Sequence, residues 1–403
     1  MPESSRALRN TSTLATAFDK QDEQFSAAFS ILREAITQRA FPAAATAVTY
    51  QGRLLAVKSF GALVYPEPGA PLPSDFGGSG SGQVSPATLF DLASLTKPLA
   101  TTAMAMILYE RGQLELDAPI AAIIPEFMHG QSDPRRRSVT FRHLLAHSSG
   151  LPAYEKLFLQ AHSRDELLHG AFSTPLSSDP LSHVEYSDIG FIILGVALER
   201  IAEESLDTFC QREIFGPLGM SNSTFNPPAA IRRQIPPTAD ERQEPCRSPT
   251  AGGRPGTFRN RIIQGEVQDE NAFVLGGVAG HAGLFSTAND IARYAETMLK
   301  GGSPILLPET ISLFTRRESS PPDTSRTLGW DTPTTPSQSG KLLGPRSYGH
   351  LGYTGTSIWI DPDRQVSITL LTNRTWPDCS NQAIKQVRPK FHDAIAEALS
   401  RLQ

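Results

Sequence analysis

The chain has 403 residues, 39% hydrophobic and 19% charged, so it is long enough for a large buried core shared among two or three domains. Its formal net charge of -4 gives no electrostatic reason to expect a nucleic acid or an anionic membrane as a partner. Three cysteines, Cys210, Cys246 and Cys379, lie far apart, without the spacing of zinc ligands or the even number of a disulfide framework, which is compatible with a reducing compartment.

The N-terminal 20 residues are polar and lack the apolar segment of a secretory signal. No run of about 18 apolar residues follows anywhere in the chain. As written, the sequence therefore predicts a cytoplasmic protein without a membrane partner, although a misassigned start codon would remove the first of these expectations.

The N-terminal region predicts one helix and two strands. Residues 23 to 39 show helical periodicity, and residues 43 to 50 and 53 to 60 alternate as strands that turn at Gln51-Gly52. Residues 66 to 86 are rich in Pro, Gly and Ser, which predicts a flexible excursion.

A hydroxyl and an amine stand three residues apart in Ser94-Leu95-Thr96-Lys97, where helical periodicity begins. On a helix this spacing places both side chains on one face, so the Lys97 amine can reach the Ser94 hydroxyl. Apolar residues then recur at helical spacing before a capping glycine: Leu95, Leu99, Ala103, Met106, Ile107 and Gly112. Ser94 is a candidate nucleophile with a built-in base, although solvated helices often carry the same four-residue pattern.

The central region is dominated by helical patterns. Tyr186-Ser187-Asp188 precedes an apolar stripe over residues 189 to 201, so the Tyr186 phenol could project from a helix N-terminus into a cleft. The alternative is that Tyr186 packs and that Ser187 or Asp188 caps the helix. Residues 227 to 261 predict a long loop, and the T-x-x-D pattern at 287 to 290 predicts the start of another helix.

The C-terminal region predicts strands again. Residues 348 to 357 enter a strand that Gly352 and Gly355 would thin, which would let a substrate approach its backbone. Residues 357 to 361 and 366 to 372 predict a hairpin, and residues 381 to 402 a closing helix.

These elements predict an α+β fold in which one antiparallel sheet is assembled from both termini and flanked by helices. The expected domains are an N-terminal tail at 1–22, an α/β sheet domain at 23–93 and 303–403, and a mainly helical inserted domain at 94–302. A cleft between the two domains would hold the site.

Three segments in this order and spacing resemble the motifs of the serine β-lactamase and penicillin-binding-protein superfamily, particularly its class C β-lactamase-like branch of carboxypeptidases and esterases. The superfamily's motifs are S-x-x-K, Y-x-N and K-T-G or H-x-G. The matching positions are Ser94 to Lys97, Tyr186 to Asp188 and His350 to Gly352. Residues 140 to 151 and 276 to 287 also resemble the family, and the resemblance covers about residues 25 to 400.

The resemblance implies acyl transfer through a covalent serine ester, with a small-molecule or peptide substrate and no cofactor or metal. Ser94 would attack the carbonyl, and Lys97 and Tyr186 would share the proton transfer. The N–H groups of Ser94 and Tyr353 would hold the oxyanion, and water would release the acid. The positions implied for substrate binding are Asp188, His350, Gly352 and Tyr353.

Two positions depart from the family pattern. Asp188 replaces an asparagine, so a donor to the substrate amide becomes an acceptor that could pair with Lys97 and shift the base role to Tyr186. His350 stands where many lactamases carry lysine, and a histidine of ordinary pKa near about 6.5 would hold a substrate carboxylate less firmly. If His350 binds an anion, KM for a carboxylate substrate should rise between about pH 5.5 and 7.5. Both departures favour esterase or peptidase activity over β-lactam hydrolysis.

Alternatives remain open at this point. A β-lactamase, or a penicillin-binding sensor that acylates once without turnover, would use the same motifs. His143 and His147 are spaced like zinc ligands, but Leu144 replaces the glutamate of a zinc protease, so we expect no metal there. His281 could line the cleft, although a loop-packing role is the stronger expectation. The oligomeric state does not follow from the sequence.

Overall fold

The computed structural model describes residues 14–66, 82–128, 133–246 and 258–402. Most of the excursion predicted at 66 to 86, and part of the loop predicted at 227 to 261, lie outside these residues. The strands are β1 Ala15–Thr16, β2 Ala43–Tyr50, β3 Arg53–Gly61, β4 Phe90–Asp91, β5 Thr224–Phe225, β6 Ala239–Asp240, β7 Ile262–Ile263, β8 Leu284–Ser286, β9 Tyr348–Leu351, β10 Ser357–Asp361 and β11 Val366–Thr372.

The α-helices are α1 Gln21–Gln24, α2 Ser26–Thr37, α3 Ala103–Glu110, α4 Phe141–Leu145, α5 Arg164–Ser173, α6 Asp188–Ala202, α7 Leu206–Cys210, α8 Glu270–Val274, α9 Ala288–Leu299, α10 Pro308–Thr315 and α11 Ile384–Ser400. Two π-helical segments, Lys97–Thr102 and Gln211–Phe215, adjoin them. Short 3-10 segments occur at Ala93–Leu95, Ile120–Ala122, Pro125–Met128, Pro134–Ser138, Leu157–Leu159 and Ala229–Gln234.

A six-stranded sheet in the order β1-β3-β2-β11-β10-β9 joins the two ends of the chain. Its pairs are antiparallel except β1 with β3, which is parallel. Strand β2 is buried along its whole length because both faces of the sheet are covered. Successive side chains of a strand point to opposite faces, so Ala44 and Val48 join one core with α2 and α11, while Ala45 and Ala47 join the other.

The second and larger core lies on the side of the sheet that carries the helical region. It packs Ala45 and Ala47 of β2 with Ile291 and Ala295 of α9 and with the apolar residues of α3 and α6. The N-terminus of α6 and the 3-10 segment Ala93–Leu95 therefore end near the edge formed by β9. This arrangement places the sequence motifs between the sheet and the helical region.

The α+β architecture, with one sheet built from both termini, is as predicted from the sequence. The C-terminal hairpin begins and ends at the predicted residues, and the closing helix covers Ile384–Ser400. The domain division stays a prediction. Two elements pack against strands that lie in a different predicted domain. Strand β1 lies within the expected tail yet pairs with β3, and α9 lies within the expected helical domain yet packs against β2 and β11.

The expectation from the sequence that the three cysteines do not form a disulfide framework was wrong. Cys246 and Cys379 form a disulfide across 133 residues of sequence, and Cys210 is the buried free thiol. The cysteines therefore no longer support a reducing compartment, and the cytoplasmic location remains a prediction. Within the described ranges no helix combines the length and the apolar character needed to span a bilayer.

Candidate active site

Ser94 lies on a sharp turn between β4 and the following helix. Ala93 adopts a left-handed φ of 47°, and the Asp91 carboxylate accepts the Ala93 N–H at 2.8 Å. The same carboxylate accepts the N–H of Gln268 at 2.7 Å. Burial raises the pKa of the Asp91 carboxyl to about 6, against the opposing effect of these hydrogen bonds. Strained backbone at a single residue persists only where its surroundings fix it, and Asp91 supplies that restraint.

Lys97 is fully buried and its amine contacts three groups. Its Nζ lies 3.0 Å from Ser94 Oγ, 2.6 Å from Asp188 Oδ1 and 3.0 Å from the carbonyl oxygen of His281. The helical spacing of the S-x-x-K segment thus brings the amine to the hydroxyl, as predicted. The three acceptors match the three N–H donors of an ammonium group.

The charge state of Lys97 differs from the expectation that Lys97 shares the proton transfer with Tyr186 as a neutral base. Burial acts to lower the pKa of the amine, but the nearby Asp188 carboxylate and Tyr186 phenol outweigh it, so the pKa is raised. Lys97 is therefore an ammonium ion at neutral pH. The alternative considered from the sequence, in which Asp188 keeps the amine charged, agrees with this geometry.

Tyr186 completes the cluster directly before α6. The Lys97 amine lies 4.8 Å from the centre of its ring, and Tyr186 lines the same cavity as Ser94. Burial raises the pKa of the phenol, and the Lys97 charge opposes that rise. The ring makes a tilted contact with the ring of His147, with their centres 4.5 Å apart, and His147 Nδ1 accepts the N–H of Ser187 at 3.0 Å. Ser187 also caps α6, so the capping predicted from the sequence and the site geometry coexist.

His350 lies at the site but not as a cation. Its Nδ1 donates to the carbonyl of Leu351 at 2.8 Å, and its Nε2 is buried without a partner among the described residues. Burial, reinforced by the charges of Lys97 and Arg326, holds the pKa of His350 well below its ordinary value. A neutral ring cannot hold a substrate carboxylate as an imidazolium, and the substrate-binding role of His350 stays a prediction.

Gly352 and Gly355 lie in the turn after β9 and not, as the sequence had predicted, within a strand. Strand β9 ends at Leu351, and residues 352–356 form a turn before β10. A Cβ on Gly352 would stand 2.5 Å from the carbonyl oxygen of Leu92 and 2.0 Å from Thr356 Oγ1. Gly352 therefore lets the turn approach the segment that carries Ser94, and because Gly352 also lines the cavity, its expected role beside the substrate stays a prediction.

The backbone N–H groups of Ser94 and Tyr353 are the candidate donors to the oxyanion. Within the described residues neither donates a hydrogen bond to another part of the chain. Thr356 Oγ1 donates to the Leu92 carbonyl at 3.0 Å and Thr354 Oγ1 to the Asp91 carbonyl at 2.8 Å, so the turn is fixed to the serine segment. Two free N–H groups on adjoining segments are suited to hold the oxygen of a tetrahedral intermediate.

These groups line a cavity of about 790 Å³, which is large enough for a peptide or an acyl ester. The sequence analysis missed Arg326, whose Nε is buried without a partner and whose guanidinium carbon lies 5.4 Å from the centre of the Tyr186 ring. Its ion pair with Asp331 is long, at 3.7 Å. A lone arginine in an irregular segment carries no sequence signal.

Two further histidines, His281 and His143, have structural roles. His281 Nε2 bonds Asp269 Oδ1 at 2.7 Å, which fixes the loop whose carbonyl receives the Lys97 amine. His143 Nδ1 accepts the Thr140 N–H in a capping box of α4. In the described part of the chain, no three His, Cys, Asp or Glu side chains gather as metal ligands would.

Comparison with known proteins agrees with this geometry. The family model "Beta-lactamase" matches residues 25–388. A protein of Escherichia coli (strain K12) named "Putative D-alanyl-D-alanine carboxypeptidase" is 35% identical over 310 residues, which cover 71% of this chain and 69% of that protein.

Two solved structures have a similar fold. EstCE1, described as a hydrolase with promiscuous acyltransferase activity, superposes with a TM-score of 0.72 at 20% identity and covers 93% of this chain and 99% of its own. A penicillin-binding protein homologue from Caulobacter crescentus superposes with a TM-score of 0.69 at 17% identity, over 95% of this chain and 99% of its own. At this level of identity the two structures support the fold alone.

Proposed function

The chain belongs to the β-lactamase family, and from that premise we propose that this serine hydrolase cleaves D-amino-acid peptides and carboxylic esters in preference to β-lactams. The observation that carries the chemistry is the Lys97 amine, which contacts the Ser94 hydroxyl and the Asp188 carboxylate at once. The carboxypeptidase name of the E. coli relative supports the peptide substrate.

Tyr186 is the proposed base. Lys97 is charged and cannot take a further proton, whereas the Tyr186 phenol lies beside Lys97 and lines the same cavity as Ser94. At pH 7 a phenol of ordinary pKa near about 10 is ionised in roughly one molecule in a thousand, which costs about 4 kcal/mol. Burial raises the pKa of Tyr186 above this ordinary value and adds to the cost, and the adjoining Lys97 ammonium opposes that rise because it stabilises the phenolate. Lys97 therefore acts mainly as an electrostatic partner.

Acyl transfer then proceeds in two steps. The Ser94 oxygen forms a bond to the substrate carbonyl carbon while its proton passes to Tyr186, and the N–H groups of Ser94 and Tyr353 hold the oxyanion. The bond to the leaving amine or alcohol breaks as Tyr186 returns the proton to it. Water attacks the acyl-enzyme with Tyr186 again as base, which releases the acid and restores Ser94.

Arg326 is the proposed receptor for a substrate carboxylate. His350 is neutral and cannot supply the charge, whereas Arg326 lines the cavity, its Nε has no partner among the described residues, and its ion pair with Asp331 is long, at 3.7 Å. An arginine with free N–H donors binds a carboxylate through two parallel hydrogen bonds. The C-terminal carboxylate of a peptide is such a group, and an ester without one would bypass Arg326.

Intact-protein mass spectrometry tests the proposal. The protein is mixed in turn with a p-nitrophenyl ester, a peptide that ends in D-Ala-D-Ala, and a penicillin, while product release is followed. We expect a transient acyl adduct and steady turnover with the first two, both abolished by Ser94→Ala and retained by Ser30→Ala, which changes an exposed serine of α2. One lasting penicillin adduct without turnover would indicate a sensor, and rapid penicillin hydrolysis a β-lactamase.

A further inference from the structure

Two buried arginines hold the turn at residues 352–356, which carries the Tyr353 N–H. Arg374 Nε donates to the Tyr353 carbonyl at 2.6 Å, and the Arg374 guanidinium lies 4.4 Å from the centre of the Tyr353 ring. Arg388 donates at 3.1 to 3.3 Å to three further carbonyls of the turn, those of Gly352, Gly355 and Thr356. Arg388 holds the carbonyl of Gly352, which shares a planar peptide group with the Tyr353 N–H, and Arg374 holds the carbonyl of Tyr353 itself, so the two arginines fix the orientation of that N–H.

Arg374 also reaches the disulfide segment. Its Nη1 donates to the carbonyl of Cys379 at 3.0 Å and to that of Asn381 at 2.9 Å. Cys379 is bonded to Cys246, so the carbonyl that receives Arg374 belongs to a residue fixed by the disulfide. A continuous chain of contacts thus runs from the disulfide through one guanidinium to the backbone that presents the Tyr353 N–H.

The cost of burying these cations indicates a role beyond packing. Both arginines are 5% exposed, and within the described residues neither forms an ion pair. Burial lowers the pKa of Arg374 and lowers that of Arg388 to about 9. A buried charge without a counter-charge is costly unless its hydrogen bonds are filled, and here carbonyls of one catalytic turn fill many of them.

We propose that Arg374 is a positioning residue for the Tyr353 N–H and that the Cys246–Cys379 disulfide holds Arg374 in place, so that reduction of the disulfide slows acylation. Both cysteines line the cavity, so a small dithiol can reach them. The dithiol gives two electrons and two protons to the S–S bond, which breaks into two thiols, and the dithiol closes into its own disulfide. This inference rests on the proposed acyl-enzyme chemistry.

A positioning role and a merely structural role predict different kinetics. Removal of one oxyanion donor costs about 100- to 1,000-fold in kcat, so a displaced donor should cost about 10-fold or more. If Arg374 positions the N–H, Arg374→Met lowers kcat and the rate of acylation while KM for a neutral ester changes by less than about twofold. If the disulfide acts only on stability, its loss lowers Tm and leaves kcat unchanged well below Tm.

The test compares Arg374→Met, Arg374→Lys and the double variant Cys246→Ser/Cys379→Ser with the wild type before and after treatment with dithiothreitol. We expect the reduced wild type and the double variant to lose about 3- to 10-fold in kcat, and Arg374→Lys to recover part of the loss of Arg374→Met. The double variant has no disulfide to reduce, so it is the control: dithiothreitol should leave its kcat unchanged.

The combined effect of losing the disulfide and Arg374 on kcat shows whether the disulfide acts through Arg374. Because the disulfide acts through Arg374, its loss should lower kcat no further in the Arg374→Met background, whereas independent effects would multiply. An unchanged kcat in the reduced wild type, or multiplying losses, would overturn the inference. Ser94→Ala separates the two proposals: if turnover survives in that variant the proposed chemistry fails, whereas its loss leaves the disulfide result to be judged alone.

Discussion

Replacing Asp188 with asparagine tests how the site controls its proton. The Asp188 carboxylate lies 2.6 Å from the Lys97 amine, and at an effective dielectric of about 20 this distance corresponds to roughly 6 kcal/mol of attraction. Asparagine keeps the shape and removes the charge. Burial of Lys97, which already acts to lower the pKa of its amine, is then much less opposed, so the pKa falls below its wild-type position.

We expect a change in the pH profile of Asp188→Asn. A less basic amine becomes available as a neutral base, so the rising limb of kcat/KM should move to lower pH by at least about one unit. In the wild type that limb should keep rising on the alkaline side, because the pKa of Tyr186 is raised and its phenolate is the base. Steady-state rates with a neutral ester measure both profiles without interference from substrate charge.

The stability lost in Asp188→Asn should change with pH in a direction that the pKa of Lys97 determines. In the wild type the pKa of Lys97 is raised above its unfolded value, so the pair's contribution is fully present below about pH 10.4 and is lost as pH rises through the folded pKa. In Asp188→Asn the folded amine binds protons less well than the unfolded one. Its deficit, about 3 to 5 kcal/mol for a broken buried pair, should therefore shrink as pH rises.

Thermal unfolding between about pH 6 and 10 follows this deficit, with Asp179→Asn as the control. Asp179 is 72% exposed and pairs with Arg135 at the surface, so its replacement changes the same charge with little effect. A kcat/KM profile of Asp188→Asn that superposes on that of the wild type, together with a pH-independent stability deficit, would refute the assignment of Asp188 as the group that keeps Lys97 charged.

Two further substitutions and one pH profile test the cavity. Arg326→Met should raise KM for a carboxylate-bearing peptide by about 10-fold or more and leave a neutral ester within about twofold, and equal effects on both would remove the carboxylate role. Because His350 is neutral, KM for that peptide should stay flat between about pH 5.5 and 7.5, and a rise there would restore the imidazolium. Gly352→Ala should cost about 100-fold in kcat, since its methyl meets the Leu92 carbonyl, whereas Gly112→Ala, with open space around it, should lower Tm alone.

The parts of the fold with regular periodicity could be predicted from the sequence. The hairpin β10–β11 and helix α6 follow from alternation and from an apolar stripe with a Ser187 cap. The contact between Ser94 and Lys97 could be predicted because it is local and set by helical geometry. Asp188 pairs with Lys97 across 91 residues, and that pairing was predicted as an alternative because the motif order placed both at one site.

The groups that were missed are isolated residues in irregular segments. Arg326 and Arg374 stand outside any periodic pattern, and their roles come from what the fold places beside them. The disulfide joins cysteines 133 residues apart, and only the tertiary structure brings their Cα atoms to 5.2 Å. The charge states of Lys97 and His350 likewise depend on burial, which the identity of a residue does not determine.

The cleft needs both of its walls in register before it can catalyse acyl transfer. Ser94, Lys97 and Tyr186 come from the helical side, whereas the Tyr353 N–H comes from the turn that joins two strands of the sheet. A shift of about 1 Å between the walls would separate the two oxyanion donors and cost about 100-fold in rate. The hydrogen bonds from Thr354 and Thr356 to the serine segment oppose that shift, because each ends on a carbonyl within three residues of the nucleophile. Since the same turn is also held by Arg374 and Arg388, the oxyanion site is fixed before a substrate arrives, which is the preorganisation that electrostatic catalysis requires.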